Sequence, residues 1–275
     1  MKILITGATG YLGQRLVERL YLDNDIRVVS RNEGKLIALK QKFPEIEIIP
    51  GDIACHHIAH KACFGVDAVF HCAAFKHVTM AESDVCECVN TNITGTLNIL
   101  QESIGCDYVV TTSTDKAAQV SGIYGATKLI TEGLFKEFGE CYPITKYRVV
   151  RYGNVLDSTG SVSNIWRDRI KVGKPVKISD PNATRFFWTR DEAVDLLFDC
   201  LENATDATPY VPEMKSMSMG SLLQAMIEKY SNGQKIDIVE TGLQPSENLH
   251  EIIVEGQPNS GEAEKYTIEE IKSMI

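Results

Sequence analysis

The 275-residue sequence predicts an α/β fold, a doubly wound parallel sheet with a smaller region interleaved behind it. Three observations carry that expectation. Short apolar runs alternate with longer amphipathic ones through the first half of the chain, the pattern of strands buried on both faces by crossover helices. A glycine-rich turn follows the first apolar run directly. From about residue 155 the alternation gives way to short segments punctuated by Pro175, Pro181, Pro209, Pro212 and Pro245.

Taken in order, strands are expected at about 2–6, 26–30, 46–49, 67–71, 107–112 and 145–151, with helical patterns between them. Residues 1–155 therefore form the expected dinucleotide-binding domain, and 156–275 a mainly substrate-binding region partly interleaved with it. Charged residues make up 24% and hydrophobic residues 44%, ordinary values for a globular protein, and the net charge of -9 argues against a nucleic-acid partner. No apolar run approaches the roughly 18 residues needed to cross a bilayer. Met1-Lys2 leads straight into the first strand, so a cytoplasmic protein is expected, without a membrane partner.

The eight cysteines sit in settings too varied for a disulfide scaffold, and a cytosolic chain keeps them reduced. His56, His60 and Cys63 lie within one short segment that lacks a second ligand pair at zinc spacing. A solvated helix face is the expectation there, and no metal site is assigned.

The first loop reads Thr6-Gly7-Ala8-Thr9-Gly10-Tyr11-Leu12-Gly13. Glycines at 7, 10 and 13 allow a tight turn, close approach to a pyrophosphate and packing of helix on strand, the Rossmann-type arrangement. The helix that follows offers its free N–H groups to the anion. At the end of the second strand, Ser30-Arg31 stands where NAD users often place an acid. A hydroxyl and a cation suit a 2'-phosphate, so NADP is the expected cofactor. Asp52 and Ile53 after the third strand are placed by the adenine. Ala73 and Ala74 after the fourth are small enough to let the cofactor lie against the backbone.

Tyr124 and Lys128 stand at i and i+4, on one face of a predicted helix. A lysine cation beside a phenol lowers its pKa and can hold a nicotinamide ribose, so Tyr124 can take a hydroxyl proton during ketone formation. Upstream, Thr114-Asp115-Lys116 puts a hydroxyl, a carboxyl and an amine at a strand end, which suits an enzyme that also expels water. The bland reading of Asp115-Lys116 is a surface ion pair. Beside a cofactor, such a pair would be costly unless used.

These motifs resemble the extended short-chain dehydrogenase/reductase superfamily. Within it they are similar to the soluble, C5-inverting UDP-N-acetylglucosamine 4,6-dehydratases. The resemblance rests on Thr6 to Gly13, Ala73-Ala74-Phe75-Lys76-His77-Val78, Asn90-Thr91-Asn92, Ser113 to Lys116 and Tyr124 to Lys128. It continues through Arg151 to Val155, Thr184-Arg185-Phe186 and Glu247 to Glu251. It implies an NADP-dependent, cofactor-regenerating dehydration of a UDP-N-acetylhexosamine by a homo-oligomer, paired through helices at about 82–104 and 121–139. In that scheme Tyr124 deprotonates the 4-hydroxyl, Thr114 holds the 4-oxygen, Lys116 takes the C5 proton and Asp115 protonates the departing 6-oxygen. Lys76 would reach cofactor and substrate, and His77, Asn154, Arg185 and Glu247 would hold the nucleotide sugar.

Cations usual in the family are missing from Gln244-Pro245-Ser246-Glu247-Asn248 and at Thr159, and Ala183 replaces a common methionine. A 4-epimerase or 4-ketoreductase would need Tyr124 and Lys128 but not Asp115 and Lys116. A 5,6-dehydratase, which returns no hydride to C6, also fits these motifs. A non-catalytic NADP sensor on the same fold can lack the tyrosine–lysine pair, whose presence here counts against that role.

Overall fold

In a computed structural model of the chain, residues 1–244 and 247–275 are described; Pro245 and Ser246, part of the departing run above, lie outside them. The first half builds β1 (Lys2–Thr6), α1 (Tyr11–Leu20), β2 (Asp25–Ser30), α2 (Glu33–Lys42), β3 (Glu47–Pro50), α3 (His56–Cys63) and β4 (Ala68–His71). There follow α4 (Val78–Ser83), α5 (Val85–Val89), a π-helical turn (Asn90–Thr94), α6 (Gly95–Glu102), β5 (Tyr108–Thr114), a 3-10 turn (Asp115–Ala117), α7 (Ile123–Cys141) and β6 (Lys146–Tyr152). The second half holds β7 (Asn154–Val155), α8 (Val162–Lys171), β8 (Val176–Ile178), β9 (Thr184–Trp188) and α9 (Arg190–Asn203). It ends with β10 (Ser216–Ser218), α10 (Met219–Tyr230), β11 (Ile238–Glu240) and α11 (Ile268–Met274).

Two compact units result: residues 1–151 with 194–210, and residues 152–193 with 211–275. The first is organised by a six-stranded sheet in the order β3-β2-β1-β4-β5-β6, and the β1–β2, β1–β4, β2–β3 and β4–β5 pairings are all parallel. This is the doubly wound order, whose ligand crevice lies beyond the carboxyl ends of the strands where the order reverses. Those ends carry Thr6, Ser30, His71 and Thr114.

The strands read as continuous apolar runs because both sheet faces are covered: all four residues of β4 are buried. Under α7, Phe135 and Phe138 meet Tyr147 edge-on, at ring separations of 6.2 and 5.9 Å. Local signals agree with the fold. Asn32 caps α2 by accepting from Lys35 N at 2.9 Å, and Thr267 with Glu270 forms a reciprocal capping box on α11.

The second unit has its own core, in which Trp166, Ile170, Val176, Phe187, Leu222 and Met226 are buried together. Its strands form a three-stranded sheet, β10-β9-β7, and a two-stranded parallel pair, β11-β8.

Candidate active site

The glycine turn has the geometry that its spacing predicts. Gly7 sits at φ 67°, in the left-handed region, and a Cβ there would come within 2.7 Å of Ala73 N. The turn thus lies directly against the backbone at the end of β4, and Ala73 N donates to Thr6 Oγ1 at 3.0 Å. Gly10 is the N-cap of α1 and brings no side chain to cap it, and Tyr11, Leu12 and Gly13 open the helix. A helix N-terminus with glycine at its N-cap, beside a bare backbone turn, fits a dinucleotide pyrophosphate.

Thr9 Oγ1 meets Ser30 Oγ at 2.7 Å, which ties the turn to the end of β2. Next to it, Arg31 is exposed and pairs with Glu87, with Asp52 Oδ2 at 3.8 Å. Asp52 also holds its own turn by accepting from Ala54 N at 2.9 Å. Ile53 is buried, and its carbonyl accepts from Asn98 Nδ2 at 3.0 Å. Ala74 is half-buried, whereas Lys76 and His77 are exposed just before α4.

The catalytic candidates converge at the end of β5. Thr114 caps the 3-10 turn, and its hydroxyl donates to Asp115 Oδ1 at 2.9 Å. The same hydroxyl lies close enough to the Tyr124 phenol to favour its ionised form, so Thr114 neighbours both phenol and carboxyl. Lys116 Nζ donates to Asp115 Oδ1 at 3.1 Å. Asp115 is 1% exposed, and its second oxygen, Oδ2, is buried with no hydrogen-bond partner among the described residues. A buried carboxyl oxygen without a partner is costly, and its natural complement is a ligand hydroxyl.

The helix bearing Tyr124 is pressed close to this turn: a Cβ on Gly125 would fall 2.3 Å from the Lys116 carbonyl. From α4, Glu82 Oε1 accepts from Ile123 N at 2.8 Å and so closes the N-terminus of α7.

The electrostatics differ from the expectation for a free tyrosine–lysine pair. Burial pushes the Tyr124 phenol up to about 12, while the Lys116 charge and the Thr114 hydrogen bond pull against it. The cation acting on the phenol is Lys116 rather than Lys128. Lys128 is itself buried, which brings its amine down to about 8 against the opposing pull of Glu132.

Glu132 is a residue that the motifs do not include. It is buried four residues after Lys128, where it accepts from Ser113 Oγ at 2.5 Å and from Arg151 Nε and Nη2 at 3.0 and 2.5 Å. The i, i+4 spacing to the lysine was the available signal. Asn92, part of one motif above, is also structural. Its side chain accepts from Phe75 N at 2.7 Å and donates to Thr127 Oγ1 at 3.0 Å, clamping the segment that carries Lys76 to α7.

The remaining candidates belong to the second unit. Asn154 opens β7 opposite Phe187. Arg185, on β9, is buried; it lies 3.6 Å from Glu251 and donates to the carbonyls of Thr184 and Leu249 at 2.7 and 3.2 Å. Glu247 Oε2 accepts from Gln244 N at 3.0 Å. Thr159 is exposed and Ala183 buried. In the first unit, His56 and His60 both pair with Glu102, at 2.9 and 2.7 Å, while Cys63 is buried in the core.

Comparison with known proteins places this geometry. An inverting UDP-N-acetylglucosamine 4,6-dehydratase of Campylobacter jejuni is 34% identical over 262 residues, covering 92% of this chain and 77% of the relative. A UDP-glucose 4-epimerase of Rickettsia canadensis is 32% identical, over 87% of this chain and 74% of its own. The X-ray structure of Pen from Bacillus thuringiensis superposes with a TM-score of 0.86 at 32% identity, covering 92% of this chain and 80% of that one. The family model described as polysaccharide biosynthesis protein matches residues 3–273. A match over nearly the whole length, on a doubly wound sheet with a tyrosine–lysine helix, means that the chain belongs to the polysaccharide biosynthesis protein family and is an extended short-chain dehydrogenase/reductase resembling the UDP-N-acetylglucosamine 4,6-dehydratases.

Proposed function

We propose that the chain is an NADP-dependent 4,6-dehydratase of a UDP-N-acetylhexosamine, inverting at C5. The observation that carries this reading is the Tyr124–Thr114–Asp115–Lys116 chain of contacts, with Asp115 Oδ2 buried and waiting for a partner. The residues around Gly7, Ser30, Arg31, Ala73 and Lys128 fit a nicotinamide dinucleotide. When bound, that cofactor supplies a hydride acceptor at sugar C4 and a hydride donor at C6.

The side chains then divide the proton work. Tyr124 takes the proton of the 4-hydroxyl, and Thr114 holds that oxygen. A ketone at C4 acidifies the C5 proton, which passes to Lys116 in its neutral form. Asp115 carries a proton on the oxygen that no protein group occupies and delivers it to the departing 6-oxygen as water. Reprotonation of C5 from the other face gives inversion. Two groups of opposite proton demand on one short turn are what this elimination needs. Lys128 stays near its own titration point, where a modest change in surroundings decides its charge.

Residues 1–155 supply cofactor and chemistry in this proposal, and residues 156–275, through Asn154 just before them, Arg185 and Glu247, hold the nucleotide sugar. Two copies pair through α5, α6 and α7. Val85, Val89, Leu129 and Ile130 are exposed on α5 and α7, an apolar set that a second copy would cover. The cytoplasm is the proposed compartment. All eight cysteines are free, as a reducing compartment keeps them, and among the described residues no helix is long and apolar enough to cross a membrane.

The relatives named UDP-glucose 4-epimerase favour a second reading, epimerisation at C4. It uses Tyr124 and Lys128 and leaves Asp115 and Lys116 without work. Incubation with UDP-N-acetylglucosamine, without added reductant, followed by mass spectrometry and proton NMR, separates the two. Loss of about 18 mass units with a new C6 methyl doublet is the expected result. An isomer of unchanged mass would replace the dehydratase reading by the epimerase one.

A further inference from the structure

Arg31 does not stand alone at the end of β2. It follows the strand whose terminal side chain ordinarily meets the adenosine ribose in a doubly wound dinucleotide site. Here its Nη1 is already engaged by Glu87 of α5, and Asp52 Oδ2 lies 3.8 Å away. The two carboxylates are held differently. Asp52 is locked in its turn by Ala54 N, whereas Glu87 projects from a helix with the Thr91 hydroxyl, 3.4 Å from the same oxygen, as a further partner. Glu87 is the one that can swing away.

A 2'-phosphate carries close to two negative charges. To reach Arg31 it must displace Glu87 and then lie beside the carboxylate it displaced. A free 2'-hydroxyl meets the reverse situation: it can donate to Glu87 and needs no cation. One arginine and two carboxylates thus present opposite preferences at one position, and the movable carboxylate decides the balance.

We propose that Glu87 is a specificity-determining residue for the cofactor, disfavouring the 2'-phosphate by occupying Arg31 and offering an acceptor to a free 2'-hydroxyl. The inference rests on the dinucleotide reading of the glycine turn and deepens it, since the expectation from Ser30-Arg31 considered only the cation.

The test is direct binding, independent of turnover. NADPH and NADH are titrated calorimetrically into the nucleotide-free full chain, wild type and Glu87→Gln, at low and at physiological salt. The Glu87 side chain is 44% exposed, so the amide leaves the fold intact. An exposed ion pair holds Arg31 back by up to about fivefold, and removing a like charge beside the phosphate adds a factor of similar order. The ratio of the NADH to the NADPH dissociation constant is therefore expected to rise roughly tenfold in Glu87→Gln, and by less at high salt. A ratio unchanged by the substitution overturns the proposal. The wild-type ratio reports separately on the cofactor: a value below one removes the NADP assignment and leaves the Glu87 result standing. Absence of binding by both nucleotides overturns both.

Discussion

Glu132→Gln is the substitution that reaches furthest into the site without touching a reacting group. Glu132 is 6% exposed and spends both oxygens on partners: Oε1 accepts from Ser113 and Arg151 Nε, and Oε2 from Arg151 Nη2. Glutamine keeps one acceptor but turns an amide N–H₂ toward the guanidinium, donor against donor. It also removes the carboxylate charge that the Arg151 guanidinium, whose side chain is 11% exposed, pairs with. Removing one partner of a buried pair costs about 3–5 kcal/mol, and a glutamine that preserves one hydrogen bond belongs at the lower end, about 3 kcal/mol. At roughly 2–4 °C per kcal/mol for a chain of this size, the melting temperature should fall by about 6–12 °C.

A second readout follows from charge. Lys128 is positive below its pKa of about 8 and neutral above it, and Glu132 is what opposes its desolvation. Activity that needs the Lys128 cation is therefore full below that value and lost as pH rises through it. Without the carboxylate the alkaline limb of kcat should move to lower pH. Thermal unfolding and a pH–rate profile are the assays. Replacing both partners, Glu132→Leu with Arg151→Met, should restore much of the stability but not the alkaline limb. A Glu132→Gln protein with unchanged melting temperature and an alkaline limb still near 8 would refute both the energetic role and the electrostatic one.

Four further outcomes are expected. Lys116→Ala should abolish water loss by mass spectrometry while NADPH affinity stays within about twofold of wild type; Tyr124→Phe should lower kcat by about 10²-fold or more, because it removes the proton acceptor for the first step. Gly7→Ala puts a Cβ 2.7 Å from Ala73 N on a backbone at φ 67°, so it should weaken NADPH binding at least tenfold in the same calorimetric titration. Ile130→Glu, at an exposed apolar position of α7, should convert a dimer to a monomer by light scattering with little change in melting temperature; a wild-type monomer would remove the proposed assembly.

Much of the first unit was legible because parallel strands buried on both faces write themselves as apolar runs. The expected segments 2–6 and 26–30 are β1 and most of β2, and the expected start near 107 is one residue from β5. Tyr124 and Lys128 were legible because helical spacing alone puts them on one face. The return of residues 194–210 to the first unit had no local signal, since it depends on long-range packing such as Phe198 against Phe70 at 5.8 Å. Nor could sequence reveal that Arg185 is committed to Glu251, a partner 66 residues away. Glu87 likewise reads as an ordinary surface acid until α5 and the end of β2 are seen side by side.

The expected helix at about 82–104 contains one more such feature, the π turn at Asn90–Thr94 between α5 and α6. There the Asn92 carbonyl takes hydroxyls from Thr96 at 2.6 Å and Thr131 at 3.1 Å. A π turn is in effect a single-residue insertion into an α-helix, and each residue turns the helix by about 100°. Deleting one residue from 90 to 94 would heal the turn into regular helix and remove the widened loop that presents the Asn92 carbonyl to Thr131 of α7. Chain length here is therefore part of how α7, the helix that carries Tyr124 and Lys128, is held in place. Among descendants of this sequence, substitutions at the exposed Asn90 and Thr94 leave that tie in place, whereas a three-nucleotide deletion in the same codons removes it.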